Sequence, residues 1–299
     1  MKSPSYGYLR ALAVSPARTS RLFRAWTFRL VAIDLDGTLL GPDKQISAAN
    51  AAAVGILQKQ GLRVVLASGR RHESMLRFAQ QLGLRGPLIS CQGALVKHSD
   101  TGEILHQQFI AAALAAEIVE HAAFEGGTLL YHRTDAIYVA QRNRLTELFA
   151  NRGRHPLVEC GDLRRLAGET PQKIVWLDNP EQTTARLARA RKQYEGRLEL
   201  LVTSPEYLEF TALGINKAAG LEVVAKYYGI NSSDVLAFGD GNNDIEMFRW
   251  AGMSIAMSQA TPEATAAATF IAPPGHPATS LARAIANAFE GSASPAVYY

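Results

Sequence analysis

Residues Val31–Leu40 read VAIDLDGTLL. The run opens as a strand for a protein core, then sets Asp34 and Asp36 two residues apart, with Gly37 and Thr38 behind them. Two carboxylates at the end of a core strand repel each other unless a cation or a set of donors stands between them. If the strand's alternation runs through both acids, Leu35 points one way and the aspartates the other. Both acids then face one reactive centre, and Gly37 lets the chain turn away.

The same grammar recurs on either side. ISAANAAAVGILQKQG, from Ile46, predicts a helix with Ser47 as its N-cap and Gly61 just past its end. LRVVLAS is a second strand, HESMLRFAQQLGL a second helix ended by Gly83, and GPLIS a third strand. Nearly unbroken apolar strands alternating with helices imply βαβ units and a parallel sheet covered on both faces. After Gly93 the rhythm changes. ALVKHSDTGEILHQQF and GTLLYHRTDAIYVA read as hairpins, followed by a helix near residues 142–151 and strands at QKIVWLD, RLELLVTS and EYLEFTA, with further helices from Ala111 and Pro180. From Asn216 the βα pattern resumes with NKAAGLEVVAKYYG, DVLAFGD, NDIEMFRWAG and MSIAM, and one last helix closes the pattern. The economical architecture is an α/β core, 30–92 and 212–290, interrupted by an inserted α+β domain at 93–211, with tails at 1–29 and 291–299.

Composition removes several function classes. The 299 residues are 47% hydrophobic and 19% charged, enough for a real core. No apolar run approaches the roughly 18 residues of a membrane span, so the chain reads as soluble, with no membrane partner. Cys91 and Cys160 are too few for a disulfide framework or a zinc cage and fit a reducing compartment. The formal charge of +4 hints at nucleic acid, but six basic residues (Lys2, Arg10, Arg18, Arg21, Arg24, Arg29) and no acid lie before residue 34. The remainder keeps 25 of the 31 Lys and Arg against 27 Asp and Glu, so the body carries no phosphate-backbone footprint. The Arg- and Ser-rich N-terminal stretch has the composition of an organellar transit peptide; a disordered tail and an upstream start codon are the competing explanations. The expected location is the cytoplasm, or an organelle if that stretch is a transit peptide.

In open α/β sheets ligands bind beyond the carboxyl ends of the strands. The first strand ends there with Asp34 and Asp36, the second with Ser68 and Gly69 of LASGR, and DVLAFGD with Asp240, Asn243 and Asp244; Lys217 opens the helix after the insertion. Clustered oxygen ligands without histidine or cysteine favour Mg²⁺ over zinc. A carboxylate can attack phosphorus, and a second acid can protonate the leaving alkoxide and then activate water. A lysine, a hydroxyl, loop N–H groups and Mg²⁺ suit the spread negative charge of a transferred phosphoryl group. Each residue has a plainer role to set beside this: a helix cap for Ser68, a first-turn carboxylate for Asp244, a helix-start lysine for Lys217. Arg71 and His72 read as a solvated helix start, and His132 as structural.

Taken together, DLDGT, ASGR, the Lys217 helix and GDGNNDIEM resemble the four ordered motifs of the haloacid dehalogenase superfamily. The insertion resembles the large α/β cap (type C2) of its Cof-type sugar-phosphate phosphatases. The resemblance covers residues 30–290 and implies a Rossmann-like core with an inserted cap. It further implies Asp34 as nucleophile and Mg²⁺ ligand, and Asp36 as general acid/base that also binds the metal through its carbonyl. Ser68, Gly69, Lys217 and Asn243 would hold the phosphoryl group; Asp240 would complete the metal ligands and Asp244 would support them. Gln92-Gly93 stands where the family often has Asn-Gly, which puts a direct substrate contact by residue 92 in doubt. The expected activity is Mg²⁺-dependent hydrolysis of a small phosphorylated metabolite, a sugar phosphate first, through an aspartyl-phosphate. The alternatives are a phosphosugar mutase resembling phosphomannomutase and a non-catalytic ligand-binding protein.

Overall fold

The computed structural model describes residues 28–153 and 156–289; the expected N-terminal extension, up to residue 27, and the expected 291–299 tail lie outside them. The chain enters as β1 (Leu30–Asp34), α1 (Ala48–Lys59), β2 (Arg63–Ala67), α2 (His72–Gln81) and β3 (Pro87–Ser90), then folds back as β4 (Leu95–His98) and β5 (Ile104–Gln107). Then come α3 (Ala112–Glu125), β6 (Thr128–His132), β7 (Ile137–Val139), α4 (Arg144–Gly153), β8 (Leu157–Glu159), β9 (Lys173–Leu177), α5 (Pro180–Tyr194), β10 (Leu198–Ser204) and β11 (Tyr207–Ala212). It returns through α6 (Lys217–Tyr228), β12 (Val235–Gly239), α7 (Ile245–Trp250), β13 (Met253–Ala256), α8 (Pro262–Ala267), β14 (Phe270–Ile271) and α9 (Ser280–Phe289).

The first sheet runs β14-β13-β12-β1-β2-β3-β4-β5, parallel from β14 to β3 and antiparallel at the β4–β5 edge. β1 lies in the middle, wholly buried, because apolar residues face both ways along it. Val31, Ile33 and Leu35 pack with Val54, Leu57, Leu281 and Ile285 of α1 and α9. Leu30 and Ala32 pack with Leu221, Val224 and Ala225 of α6. Ser47 caps α1 by accepting the Asn50 N–H at 3.1 Å. The hairpin 95–107, expected in the insertion, instead extends this sheet, pairing Leu88 with Lys97 and Ile89 with Val96. Its apolar side, through Val96, packs with Leu221 and Val224 of α6.

The second sheet has the order β10-β11-β9-β6-β7-β8 and is antiparallel except for β7–β8. One face packs on the helices of the insertion: Leu129, Tyr131, Ile174, Trp176, Leu208 and Phe210 join Ile118 of α3 and Tyr194 of α5. Alternation sends His132, Lys173, Tyr207 and Glu209 to the other face. That face lies over the carboxyl ends of β1, β2 and β12, so the two sheets enclose the site between them.

Candidate active site

Asp34 is the last residue of β1, Asp240 follows β12, and Asp244 sits in a 3-10 turn over residues 242–244. One oxygen from each of these three lies within 4.8 Å of the others. Lys217, fully buried at the start of α6, donates from Nζ to Asp34 Oδ1 at 2.5 Å and to Asp244 Oδ1 at 2.7 Å. Asn216 supplies the cap of α6 through the Ala219 N–H, which frees Lys217 to turn inward. Asp244 Oδ2 accepts the N–H groups of Asp240 at 2.9 Å and Gly241 at 3.0 Å.

Three acids against one ammonium leave this buried cluster with excess negative charge. Burial pushes Asp34 well above the usual carboxylate range; Lys217 pulls it back, and Asp244 and Asp240 add to the rise. Burial, then the charge of Asp244, raises Asp240 to about 7. Burial works against the Lys217 ammonium, yet Asp244 and Asp34 outweigh it and hold the lysine charged. A divalent cation fits such a centre, since the donors are all oxygen and the charge is unbalanced. Asp34 and Asp240 have carboxylate oxygens to offer it. Both Asp244 oxygens are already engaged, by Lys217 and by two backbone N–H groups, so Asp244 braces the cluster.

Asp36 lines the same cavity as Asp34 but in a different electrical setting. β1 stops at Asp34 and the chain turns at Gly37 with φ +86, and the Asp36 carboxylate is held by basic partners. It accepts Arg70 Nε at 2.7 Å, Arg70 Nη2 at 2.8 Å and Lys44 Nζ at 2.9 Å. Burial would raise Asp36, but Arg70 and Lys44 prevail and hold it well below the usual range. Gly37 is required twice over: by its positive φ, and because a Cβ there would lie 2.0 Å from Asp240 Oδ2.

A cavity of about 380 Å³ joins most of the predicted residues. Asp34, Asp36, Ser68, Gly69, Asp240 and Asn243 line it, whereas Lys217 and Asp244 stand behind Asp34. Ser68, just after β2, is a buried hydroxyl whose Oγ accepts the Arg70 N–H at 3.2 Å, so it orders its own loop rather than capping α2, whose N-cap is Arg71. A Cβ on Gly69 would meet Gln92 Nε2 at 2.4 Å, so any other residue there would push the Gln92 side chain aside.

The roof of the cavity holds residues that the motifs did not single out. His132, Lys173, Tyr207 and Glu209 come from the open face of the second sheet, and Phe149 from α4. Phe149 meets His132 edge-on at 5.9 Å and Tyr207 at 5.7 Å. Arg71 and His72, expected to be solvated, are both buried. Arg71 Nη2 reaches Thr134 O in the insertion at 2.9 Å. The signal that marks Lys173 and Glu209 is a charge at alternating positions of apolar strands, KIVWL and YLEFTA. Its meaning depends on which face the alternation opens toward the core.

The family model described as haloacid dehalogenase-like hydrolase matches residues 31–285. Among curated proteins, an HMP-PP phosphatase of Cronobacter sakazakii is 28% identical over 248 residues, 83% of this chain and 90% of that protein. An HMP-PP phosphatase of Serratia proteamaculans is 28% identical over 239 residues, 79% of this chain and 86% of that protein. Among solved structures, a haloacid dehalogenase-like hydrolase from Bacteroides thetaiotaomicron superposes with a TM-score of 0.78 at 25% identity, over 88% of this chain and 100% of the other. A HAD subclass IIB sugar phosphatase shares the fold, with a TM-score of 0.74 at 22% identity over 82% of this chain and 94% of its own.

Proposed function

The chain belongs to the haloacid dehalogenase-like hydrolases and is a phosphatase, and we propose that it hydrolyses a small phosphorylated metabolite, a sugar phosphate, through an aspartyl-phosphate on Asp34 with Mg²⁺ as cofactor. The observation that carries this reading is the buried cluster of Asp34, Asp240 and Asp244 against Lys217 alone, set at the carboxyl ends of β1 and β12. When bound, the cation neutralises the acids and the phosphoryl oxygens. Asp34 and Asp240 would hold it by their carboxylates and Asp36 by its backbone carbonyl. Asp34 attacks phosphorus as the bond to the leaving oxygen breaks, and Asp36 gives that oxygen its proton. Asp36 then takes a proton from water, whose oxygen attacks the phosphoryl group and frees Asp34. To act as acid Asp36 parts from Arg70, whose guanidinium can then meet phosphoryl oxygens. Ser68, the N–H groups beyond Gly69, and Asn243 would hold the phosphoryl group, with Lys217 neutralising Asp34 from behind.

The core, which keeps the 95–107 hairpin, and the inserted domain, divided near residues 108 and 211, act in this reading as base and cap. The cap's aromatic side (His132, Phe149, Tyr207) and its hydroxyls (Thr203, Ser204) suit a cyclic leaving group with one apolar face and polar edges. The names of the two curated relatives make HMP-PP the second candidate substrate. Two free cysteines fit cytoplasmic residence, and no helix of the described residues is long and apolar enough to cross a membrane. The test is phosphate release across a panel of sugar phosphates and HMP-PP, with and without Mg²⁺. Mg²⁺-dependent release from a sugar phosphate, with no isomeric phosphate formed, is expected. An isomeric product without free phosphate would make the protein a mutase, and no turnover on any member would end the reading.

A further inference from the structure

A chain of five polar side-chain and backbone groups crosses from core to cap and back. Asn243 Nδ2 donates to Gln92 Oε1 at 3.2 Å. Gln92 Nε2 donates to Glu209 Oε2 at 3.1 Å. The same oxygen accepts Lys173 Nζ at 3.0 Å, and Lys173 donates again to the carbonyl of Gly69 at 2.9 Å. Thr203 Oγ1 occupies the remaining Glu209 oxygen at 2.9 Å. Two of these links, Gln92 to Glu209 and Lys173 to Gly69, join different domains.

The direction of the chain is set by the cap. A carboxylate only accepts, so Glu209 obliges Gln92 to present its amide N–H₂ upward and its carbonyl oxygen to Asn243. Asn243 must answer with its own N–H₂. Gln92, Glu209 and Asn243 line two cavities, about 380 Å³ at the predicted substrate site and about 270 Å³ beyond it, so hydrogen bonds set the direction in which their polar ends point. Gln92 also sits in the left-handed region at φ +62, next to Cys91 at φ +49. A non-glycine residue keeps that conformation only where its surroundings hold it. Lys173 and Glu209 are buried and nearly saturated with partners.

We propose that Gln92, Glu209 and Lys173 are positioning residues that tie closure of the cap to assembly of the phosphate site, so that Gly69 and Asn243 take their working positions only when the cap is down. The proposal rests on the phosphatase reading for its catalytic consequence, and on the hydrogen bonds alone for its structural one. An asparagine at 92, one methylene shorter, cannot span Asn243 and Glu209 together.

The test uses the full chain, wild type beside Gln92→Ala and the double variant Lys173→Met/Glu209→Gln, which removes both charges without leaving one buried alone. Two measurements are made: turnover of p-nitrophenyl phosphate with Mg²⁺, and amide exchange of residues 67–72 against residues 30–34. Each variant is expected to lose about tenfold in kcat with KM within about threefold, since the loss falls in the transition state. Exchange in 67–72 should rise about tenfold while 30–34 stays protected. Combining the variants should add little, because both links serve one closure. Wild-type kcat with wild-type exchange would overturn the proposal. If the wild-type protein turned over no phosphate ester, the phosphatase reading would fall by itself, and exchange alone would decide the positioning claim: faster in 67–72 sustains it, unchanged refutes it.

Discussion

Two buried lysines, one in each domain, work in opposite electrical settings. Lys217 of the core faces Asp34 and Asp244, with Asp240 beside them, and the group stays short of positive charge. Lys173 of the cap faces one carboxylate, Glu209, and the pair is neutral, with its remaining bonds going to Gly69, Gln92 and Thr203. A balanced buried pair asks for nothing further and serves to join surfaces. An unbalanced one asks for a cation. The same side chain, equally hidden, therefore marks chemistry in the core and geometry in the cap.

The sharpest way to break this contrast is at the core. Asp34→Asn should lower phosphate release by at least ~10³-fold, because in this reading Asp34 supplies the attacking carboxylate oxygen. Chelation of divalent cations should abolish turnover to the same background, and Mg²⁺ should restore it in the wild-type protein only. Lys217→Met should rank next, losing turnover and roughly 3–5 kcal/mol of stability in urea unfolding, the scale for stripping a partner from a buried ion pair. Lys173→Met leaves only one carboxylate uncompensated and should cost less on both measures; equal losses would erase the distinction between the two lysines. Gly37→Ala should cost about 1–3 kcal/mol in the same assay, from the strain of φ +86, with a further loss of Mg²⁺ affinity as Asp240 is displaced.

The smallest effect is on pH. Burial, then the charge of Asp244, raises the Asp240 carboxyl to about 7, above the ordinary carboxylate range. The folded state therefore binds a proton that the unfolded state has released, and this contribution to stability is complete below the unfolded value and lost as pH rises through the folded one. The Mg²⁺-free protein should melt at lower temperature as pH rises from about 4 to about 7, and excess Mg²⁺ should flatten that slope. Asp36 shifts the other way: its contribution is complete above its unfolded pKa and is lost only as pH falls below that value, outside this window. Identical slopes with and without Mg²⁺ would show that the cation does not meet Asp240.

Much of this was legible in the residues. Apolar strands followed by helices forecast the parallel sheet, and acids at the ends of β1 and β12 forecast the cluster. Asp34 and Asp36 do line one cavity, although the strand stops at Asp34; what alternation could not show is that Arg70 and Lys44 hold Asp36, because those contacts come from separate loops. The 95–107 hairpin belongs to the first sheet and not to the insertion, since an antiparallel pair reads alike wherever it docks; its pairing with β3 and the burial of Val96 under α6 decide. The short pieces β8, α8 and β14 carry too few residues for a pattern. Lys173 and Glu209 stayed hidden because a charge on an apolar strand acquires meaning only when register places it opposite Gly69 and Gln92.

The central claim is that Asp34 is the nucleophile, and rapid quenching of turnover followed by mass spectrometry of the peptide that carries it tests this most directly. A phosphoryl group on the Asp34 peptide, present with Mg²⁺ and substrate and absent from Asp34→Asn, is the expected result. Sustained phosphate release with that peptide unmodified, or by the Asp34→Asn protein, would contradict it.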